Sequence, residues 1–259
     1  MKVGKYYIYC IIKTDQDIKF GSSRINDSES EVYTIRYRDI AACVSDFPFI
    51  DYRLTRKNAL AQAQIIEKIM KDFTVLPLRG GTICESEIAI KRLLEKSYEE
   101  LKAELEKMKD KAELNLMAIW KEDGIQREAE ERYSDILRIR DEMVAKPQRA
   151  TMNARIALGK KVERAVLRWR EEYEKEIGNM FKECIEDFRF NKIINIRMIL
   201  NAAFLVRKDR EKEFNKKVNE LDEKYGYKIN FRYSGPFPPY NFVDIKPEPE
   251  PEPEQKGVL

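Results

Sequence analysis

The chain has 259 residues, of which 43% are apolar and 37% are charged, a balance that favours solvated helices around modest cores. Its 49 basic and 46 acidic residues leave a net charge of +3, so no global field favours nucleic acid or an anionic membrane. The sequence contains no histidine, which excludes Ser-His, Cys-His and histidine-rich metal chemistry and weakens the case for an enzyme.

The cysteines and the apolar runs indicate a cytoplasmic chain. No apolar run approaches the roughly 20 residues that span a bilayer, and no cleavage site follows the short apolar run near the N-terminus. The cysteines lack C-x-x-C spacing, so we expect reduced thiols, no metal site and no cofactor. The four cysteines are Cys10, Cys43, Cys84 and Cys184.

Residues 1–110 predict an N-terminal α+β domain. The mostly apolar, β-prone run at 5–12 indicates a central strand. After a turn-like stretch at 15–27, the runs at 31–37 and 40–45 predict a hairpin.

Two helices are predicted in this domain. Thr55 is expected to cap the first helix, with Leu60 on its buried face. After an extended run and a turn at 73–81, the stretch Thr82–Glu85 fits a capping box that opens a long helix. The apolar stripe of that helix has spacings of three and four and consists of Ile90, Leu94, Tyr98, Leu101, Leu105 and Met108.

Residues 111–245 predict a second α+β domain with a ferredoxin-like plan and long helices. Alternation at 112–120 indicates its first strand, and the fully apolar run at 198–206 indicates a central strand. The other elements are helices at 123–144, 150–188 and 207–225 and a last strand at 228–233. Residues 246–259 are rich in proline and glutamate, which predicts a disordered, solvated tail.

The turn Arg79-Gly80-Gly81-Thr82 admits two interpretations. Backbone amides between a strand and a helix could hold the phosphate of a small ligand, which would make the chain an enzyme. A Walker motif needs four residues between its glycines and a following Lys-Ser/Thr, and both are missing here. A structural turn is therefore the favoured interpretation, with Arg79 paired inside the fold or facing a partner.

The stretch Tyr233–Val243 holds three prolines and three large apolar side chains, Phe237, Tyr240 and Phe242. Proline fixes φ and removes an amide donor, so the stretch is expected to be neither helix nor central strand. It clamps its own core or offers aromatic anchors to a partner. We expect Phe237 or Phe242 to pack inward and Tyr240 to remain for a partner.

Nucleic-acid binding is considered because aromatic side chains on ferredoxin-like sheets can stack bases. The run Asn201–Val206 lacks the glycines and the basic start of the RNA-binding signature, so no nucleic-acid partner is predicted. Alternation places Glu113 opposite the apolar face of its strand, and we assign it no catalytic role.

Five stretches in order carry a family resemblance. Val-Leu-Pro-Leu-Arg-Gly-Gly-Thr at 75–82, Asn-Ala-Ala-Phe-Leu-Val at 201–206 and the ending at 233–242 are the most specific, and the strands at 6–9 and 41–45 agree. Together, over about residues 5 to 243, they resemble the gas vesicle proteins F and L. The chain departs from the family pattern at Gly80, where Phe is usual, at Phe237, where Trp is usual, and at Gln62, often His.

The resemblance implies a non-enzymatic accessory protein of gas vesicle formation, cytoplasmic and associated with gas vesicles, with two α/β domains. Its implied partners are the hydrophobic shell protein, gas vesicle protein A, and other accessory proteins. We hypothesise a chaperone-like role in which Arg79, Phe237, Tyr240 and Phe242 bind the partner. The alternative is a small-ligand or RNA-binding ferredoxin-like module.

Overall fold

The computed structural model describes residues 5–49, 51–132 and 152–243. Contacts divide the chain into two units, of which one is Lys111–Pro236 and the other consists of the residues before and after it. Within the described ranges the chain forms two antiparallel sheets and six α-helices, so the predicted mixture of α and β structure is confirmed.

The first unit is built on a six-stranded sheet. Its strands follow the order β2-β3-β4-β1-β5, and β6 also pairs with β1. They are β1 Lys5–Lys13, β2 Lys19–Ile25, β3 Ser28–Tyr37, β4 Ile40–Phe47, β5 Val75–Pro77 and β6 Ile83–Cys84. Six consecutive residues of β1 are buried, which confirms the predicted central strand, and β3 and β4 form the predicted hairpin.

The prediction of a turn at 15–27 is wrong, because β2 occupies most of it. Phe20 and Ile25 pack into the core of the first unit. Gly21, at a φ of +90°, lies at an irregular register, and the polar residues around it hide the alternation of the strand in the sequence.

The first unit has helices α1 Arg56–Met70, α2 Glu87–Lys96 and α3 Tyr98–Met108. Thr55 caps α1 as predicted, because its hydroxyl accepts the amide of Asn58 at 3.2 Å. The assignment of Leu60 to the buried face is wrong, since this side chain is exposed. The buried face is rotated around the helix relative to Leu60 and consists of Asn58, Gln62, Ile65, Ile66 and Ile69.

The predicted capping box at Thr82–Glu85 is also wrong. Ser86 caps α2 instead, accepting the amide of Ala89 at 3.1 Å, and the predicted long helix is divided at Ser97 into α2 and α3. All six residues of the predicted stripe are nevertheless buried, because the break leaves both helices with the same apolar side on the core.

The second unit has a four-stranded sheet in the order β10-β7-β9-β8. Its elements are β7 Lys111–Trp120, α4 Gly124–Arg132, α5 Met152–Phe181, β8 Asp187–Phe190, β9 Met198–Arg207, α6 Glu211–Tyr225 and β10 Ile229–Phe237. The strand at 198–206 is central, as predicted. The helix predicted at 150–188 is too long, because α5 ends at Phe181 and β8 follows. Residues 133–144 of another predicted helix and the predicted tail lie outside the described residues.

Aromatic side chains fill the core of the second unit. Phe181 of α5 lies 5.3 Å from Phe204 of β9 and 4.4 Å from Phe214 of α6, measured between ring centroids. Trp120 and Trp169 meet edge to face at 6.4 Å. In the described residues, no helix is long and apolar enough to cross a membrane.

Candidate functional site

The Arg79 turn connects β5 to β6 and is tied to β1 at both ends. The amide of Leu78 donates to the carbonyl of Tyr9, and the amide of Ile8 donates to the carbonyl of Thr82, each at 2.9 Å. The amide and the hydroxyl of Thr82 both donate to the Arg79 carbonyl, at 3.2 and 2.7 Å. The turn is therefore fixed while the Arg79 side chain is exposed.

Two buried side chains, Tyr7 and Gln62, support this turn from the core. The Tyr7 hydroxyl donates to Gln62 Oε1 at 2.7 Å, and Gln62 Nε2 donates to the Leu78 carbonyl at 2.8 Å. The Gly81 amide donates to the Tyr7 hydroxyl at 3.1 Å. Burial raises the pKa of Tyr7 well above its usual value, so the phenol remains a neutral hydrogen-bond donor.

The neighbours of both glycines leave little room for a side chain, and the constraint is stronger at Gly81. A Cβ at Gly80 would lie 3.0 Å from Gln62 Oε1. Gly81 has a φ of +87°, and a Cβ there would lie 2.8 Å from the ring of Tyr52. Gln62 and Gly80, two of the positions that depart from the family pattern, therefore lie side by side.

The turn offers little support for the phosphate-binding interpretation. The amides of Gly81 and Thr82, which would have to point at an anion, are used by Tyr7 and by the Arg79 carbonyl. The next helix begins at Glu87, so its N-terminal amides do not follow the turn directly.

Replacing Gln62 with leucine is expected to lower the free energy of unfolding by about 2 kcal/mol, because the Leu78 carbonyl and the Tyr7 hydroxyl lose buried partners. Chemical denaturation measures the change. The matched control is Gln64→Leu on the same helix, where the side chain is exposed and little change is expected. Equal effects of the two substitutions would contradict the supporting role of Gln62.

The C-terminal segment separates its aromatic residues by burial. Phe237 ends β10 and is half-buried, and the segment then turns, with the Tyr240 amide donating to the Pro238 carbonyl at 2.7 Å. The Phe242 amide donates to the Pro239 carbonyl at 3.1 Å. Phe242 is 4% exposed and Tyr240 is 39% exposed. Phe242 thus acts as the inward clamp, which withdraws it from direct partner contact, and Tyr240 faces outward.

A buried ionic cluster in the second unit was missed by sequence reasoning. Glu128 of α4 is fully buried, and its Oε2 lies 2.8 Å from Lys228 Nζ and accepts the Tyr173 hydroxyl at 2.8 Å. Lys228 also lies 2.5 Å from Glu131. Although burial lowers the pKa of Lys228, hydrogen bonds to Glu128 and Glu131 raise it above its usual value. Glu128, Tyr173 and Lys228 are far apart in sequence, so no local pattern could predict that they form a cluster.

The thiols and carboxylates form no evident metal centre. Among the described residues, no three His, Cys, Asp or Glu side chains are grouped so that they could hold an ion. Cys10 and Cys43 are buried free thiols opposite each other on β1 and β4, and burial raises the pKa of Cys43. The residues that remain as candidates for a partner are Arg79 on its turn and Tyr240 on the C-terminal segment, both exposed and both in the first unit.

The fold is similar to that of gas vesicle protein F in two crystal structures. It matches the crystal structure of that protein from Anabaena sp. PCC7120 with a TM-score of 0.80 at 23% identity, covering 94% of this chain and 99% of the other. The corresponding structure from Microcystis aeruginosa gives a TM-score of 0.72 at 23% identity, covering 94% of this chain and 100% of the other.

Sequence comparison identifies the family. The family model described as gas vesicle synthesis protein GvpL/GvpF matches residues 5–244. Gas vesicle protein F of Haloferax mediterranei is 22% identical over 92% of this chain and 93% of its own length, and that of Dolichospermum flosaquae is 25% identical over 75% and 80%. This chain belongs to the GvpL/GvpF family, and it is a gas vesicle accessory protein.

Proposed function

We propose that this chain is a non-enzymatic assembly factor that binds the hydrophobic shell protein, gas vesicle protein A, and other accessory proteins of the gas vesicle. Membership of the GvpL/GvpF family over residues 5–244 is the observation that carries the proposal. We place this action in the cytoplasm, before and during association with the growing vesicle. The role is chaperone-like, because unassembled shell subunits expose apolar surface that would otherwise aggregate.

The Arg79 turn and the Tyr240 segment provide the proposed contact. Tyr240 combines an apolar ring with a polar hydroxyl, which suits a surface that is alternately bound and wet. The guanidinium of Arg79 can form a charge-assisted hydrogen bond with a carboxylate of the subunit. Phe237 is half-buried and could add apolar area to this contact, whereas Phe242 is buried and is not available to a partner.

The order β10-β7-β9-β8 and the succession of strands and helices support a ferredoxin-like class for the second unit. An RNA-binding role, the alternative, has less support. The face of the sheet opposite α5 would have to carry stacking aromatic side chains. In the described central strands, this face carries no aromatic residue. The residues on it are Glu113, Asn115, Met117, Asn201, Ala203 and Leu205.

The double variant Arg79→Ala/Tyr240→Ala is expected to retain its fold and to lose about tenfold or more in affinity for purified shell subunits in a pull-down titration. The control is Leu54→Ala, which removes a more exposed apolar side chain from the same unit. Unchanged binding by a folded double variant would remove these two residues from the interface. Equal loss in the control would show that the surface is not specific.

A further inference from the structure

β8 is an edge strand that exposes aromatic side chains. It ends the sheet order β10-β7-β9-β8, and in the described part of the chain no strand pairs with its outer side. All four of its residues are exposed. Phe188 is 44% and Phe190 54% exposed, and their rings lie on one face with centroids 5.3 Å apart.

The other end strands are protected differently. β10 turns Asn230, Arg232, Ser234 and Pro236 outward, which are the polar, charged and proline residues that commonly protect a sheet edge. The exposed positions of β2 in the first unit are occupied by Lys19, Gly21, Ser22 and Arg24. Large apolar side chains at the edge of β8 are therefore not a general property of this fold and indicate an interaction site.

The backbone of β8 is oriented for strand addition. The amide of Asn191, just after β8, donates inward to the Asn201 carbonyl of β9 at 2.7 Å. Because amide directions alternate along a strand, counting back from Asn191 turns the amides of Phe190 and Phe188 to the open edge. The Glu186 amide, before the strand, also donates inward, to the Leu205 carbonyl at 2.8 Å, so the alternation is interrupted between Glu186 and Phe188. The Phe188 amide donates to the Asp187 carboxylate at 2.8 Å, a local contact that an incoming carbonyl can replace.

A partly apolar cleft lies beside the loop that follows this edge. The loop after β8 carries Ile194 and Ile196, both exposed, and these residues line a cleft of about 280 Å³ together with Val166 and Leu167 of α5. Glu163, Arg170 and Asn195 add polar groups of both charge signs to its lining. Arg170 holds the end of the loop, because its Nη2 donates to the Ile196 carbonyl at 3.4 Å and its Nε donates to the carbonyl of Met198, the first residue of β9, at 3.1 Å. The apolar surface thus extends from the strand edge onto a held loop rather than ending at two phenylalanines.

The charge of this surface selects the partner. Within the segment 187–197, three basic residues, at 189, 192 and 197, are exposed, compared with one exposed carboxylate, that of Asp187. We propose that the outer edge of β8 binds an extended strand of a partner protein, apolar on the face shared with Phe188 and Phe190 and acidic at its other positions. Main-chain hydrogen bonds would supply affinity, and the phenylalanines and basic residues would supply specificity. Binding here does not depend on the proposed role of Arg79 and Tyr240, because other residues carry it.

Fluorescence anisotropy with labelled peptides tests the proposal on the full chain. An acetylated peptide of about eight residues that alternates valine and glutamate is expected to bind, and a valine–lysine peptide of equal length at least about tenfold more weakly. Phe188→Ser/Phe190→Ser is expected to reduce binding about tenfold or more. Both side chains are about half exposed, so the fold should be retained with some loss of stability, because Phe188 also stacks on the buried Phe204 at 6.4 Å between ring centroids. Phe190→Pro removes the outward amide together with the phenyl ring and is expected to block binding as well.

The control is Ile156→Ser on α5, which removes another exposed apolar side chain from the same unit and should leave binding unchanged. Equal binding of the two peptides, or binding that persists in a folded Phe188→Ser/Phe190→Ser variant, would overturn the proposal. Absence of binding at about millimolar peptide would do the same. Light scattering that shows a dimer abolished by the double variant would assign the edge to a second copy of this chain, which also overturns it.

Discussion

Replacing Lys228 with methionine is expected to lower the free energy of unfolding by about 3 kcal/mol. The ammonium group is 3% exposed and is the partner of Glu128, a carboxylate with no exposure. The substitution keeps the apolar stem but leaves that carboxylate with only the partly exposed Arg132, 2.5 Å away, as its counter-charge, and breaking one side of a buried pair is costly. Urea denaturation at neutral pH measures the loss.

The matched control for Lys228→Met is Lys224→Met. Lys224 lies 2.7 Å from Glu176, but both side chains are largely accessible to solvent, so little change is expected. Similar losses in both variants would contradict the importance of burial for the cluster around Glu128.

The pH dependence of the free energy of unfolding provides a second test of the role of Lys228. The pKa of Lys228 is raised in the folded chain, so its contribution is complete below the unfolded lysine pKa of about 10.4 and is lost as the pH rises toward the folded value. The wild-type free energy of unfolding should therefore fall above about pH 10, and Lys228→Met should lack the lysine part of that fall. The raised pKa of Tyr173, caused first by burial, acts in the same direction in both proteins.

Replacing Gly235 with alanine is expected to cost about 3 kcal/mol of folding free energy. Gly235 has a φ of +131°, a region that side chains rarely adopt, and a Cβ would lie 2.8 Å from the Glu113 carbonyl of β7. The backbone of β10 must therefore move away from β7 or strain. Thermal and chemical denaturation measure the loss.

The control is Gly178→Ala within α5, where a Cβ would meet nothing within 4 Å. Alanine is the better helix former, so a gain of about 0.5–1 kcal/mol is expected there. A Gly235→Ala variant with the same free energy of unfolding as the wild type would contradict the close approach of β10 to β7.

The sequence predicted the elements whose local pattern and tertiary environment agree. Strands β1 and β9 are almost entirely apolar, with Asn201 as the exception within β9, because both are central and covered on both faces. Prediction failed where polar residues interrupt a short strand, as in β2. It failed again where a helical pattern continues past the end of its helix, since Asp187-Phe188-Arg189-Phe190 alternates like a strand but begins only a short turn after α5 ends at Phe181.

The candidate site shows the same limits. The residues at 79 and 240 were proposed because they belong to motifs of contiguous sequence, and burial then distinguished Tyr240 from Phe242. The support of the turn by Tyr7 and Gln62 joins positions 55 residues apart, and the pairing of Glu128 with Lys228 joins α4 to the start of β10. Such contacts exist only after folding, so a single sequence could not reveal them.

The most direct test of the central claim is whether the chain keeps shell subunits from aggregating. Purified gas vesicle shell protein is diluted from denaturant while light scattering is followed, with and without an equimolar amount of this chain. We predict that the wild-type chain suppresses scattering, that Arg79→Ala/Tyr240→Ala suppresses it poorly, and that Leu54→Ala acts like the wild type. Scattering that is the same with and without the wild-type chain would contradict the proposed chaperone-like function.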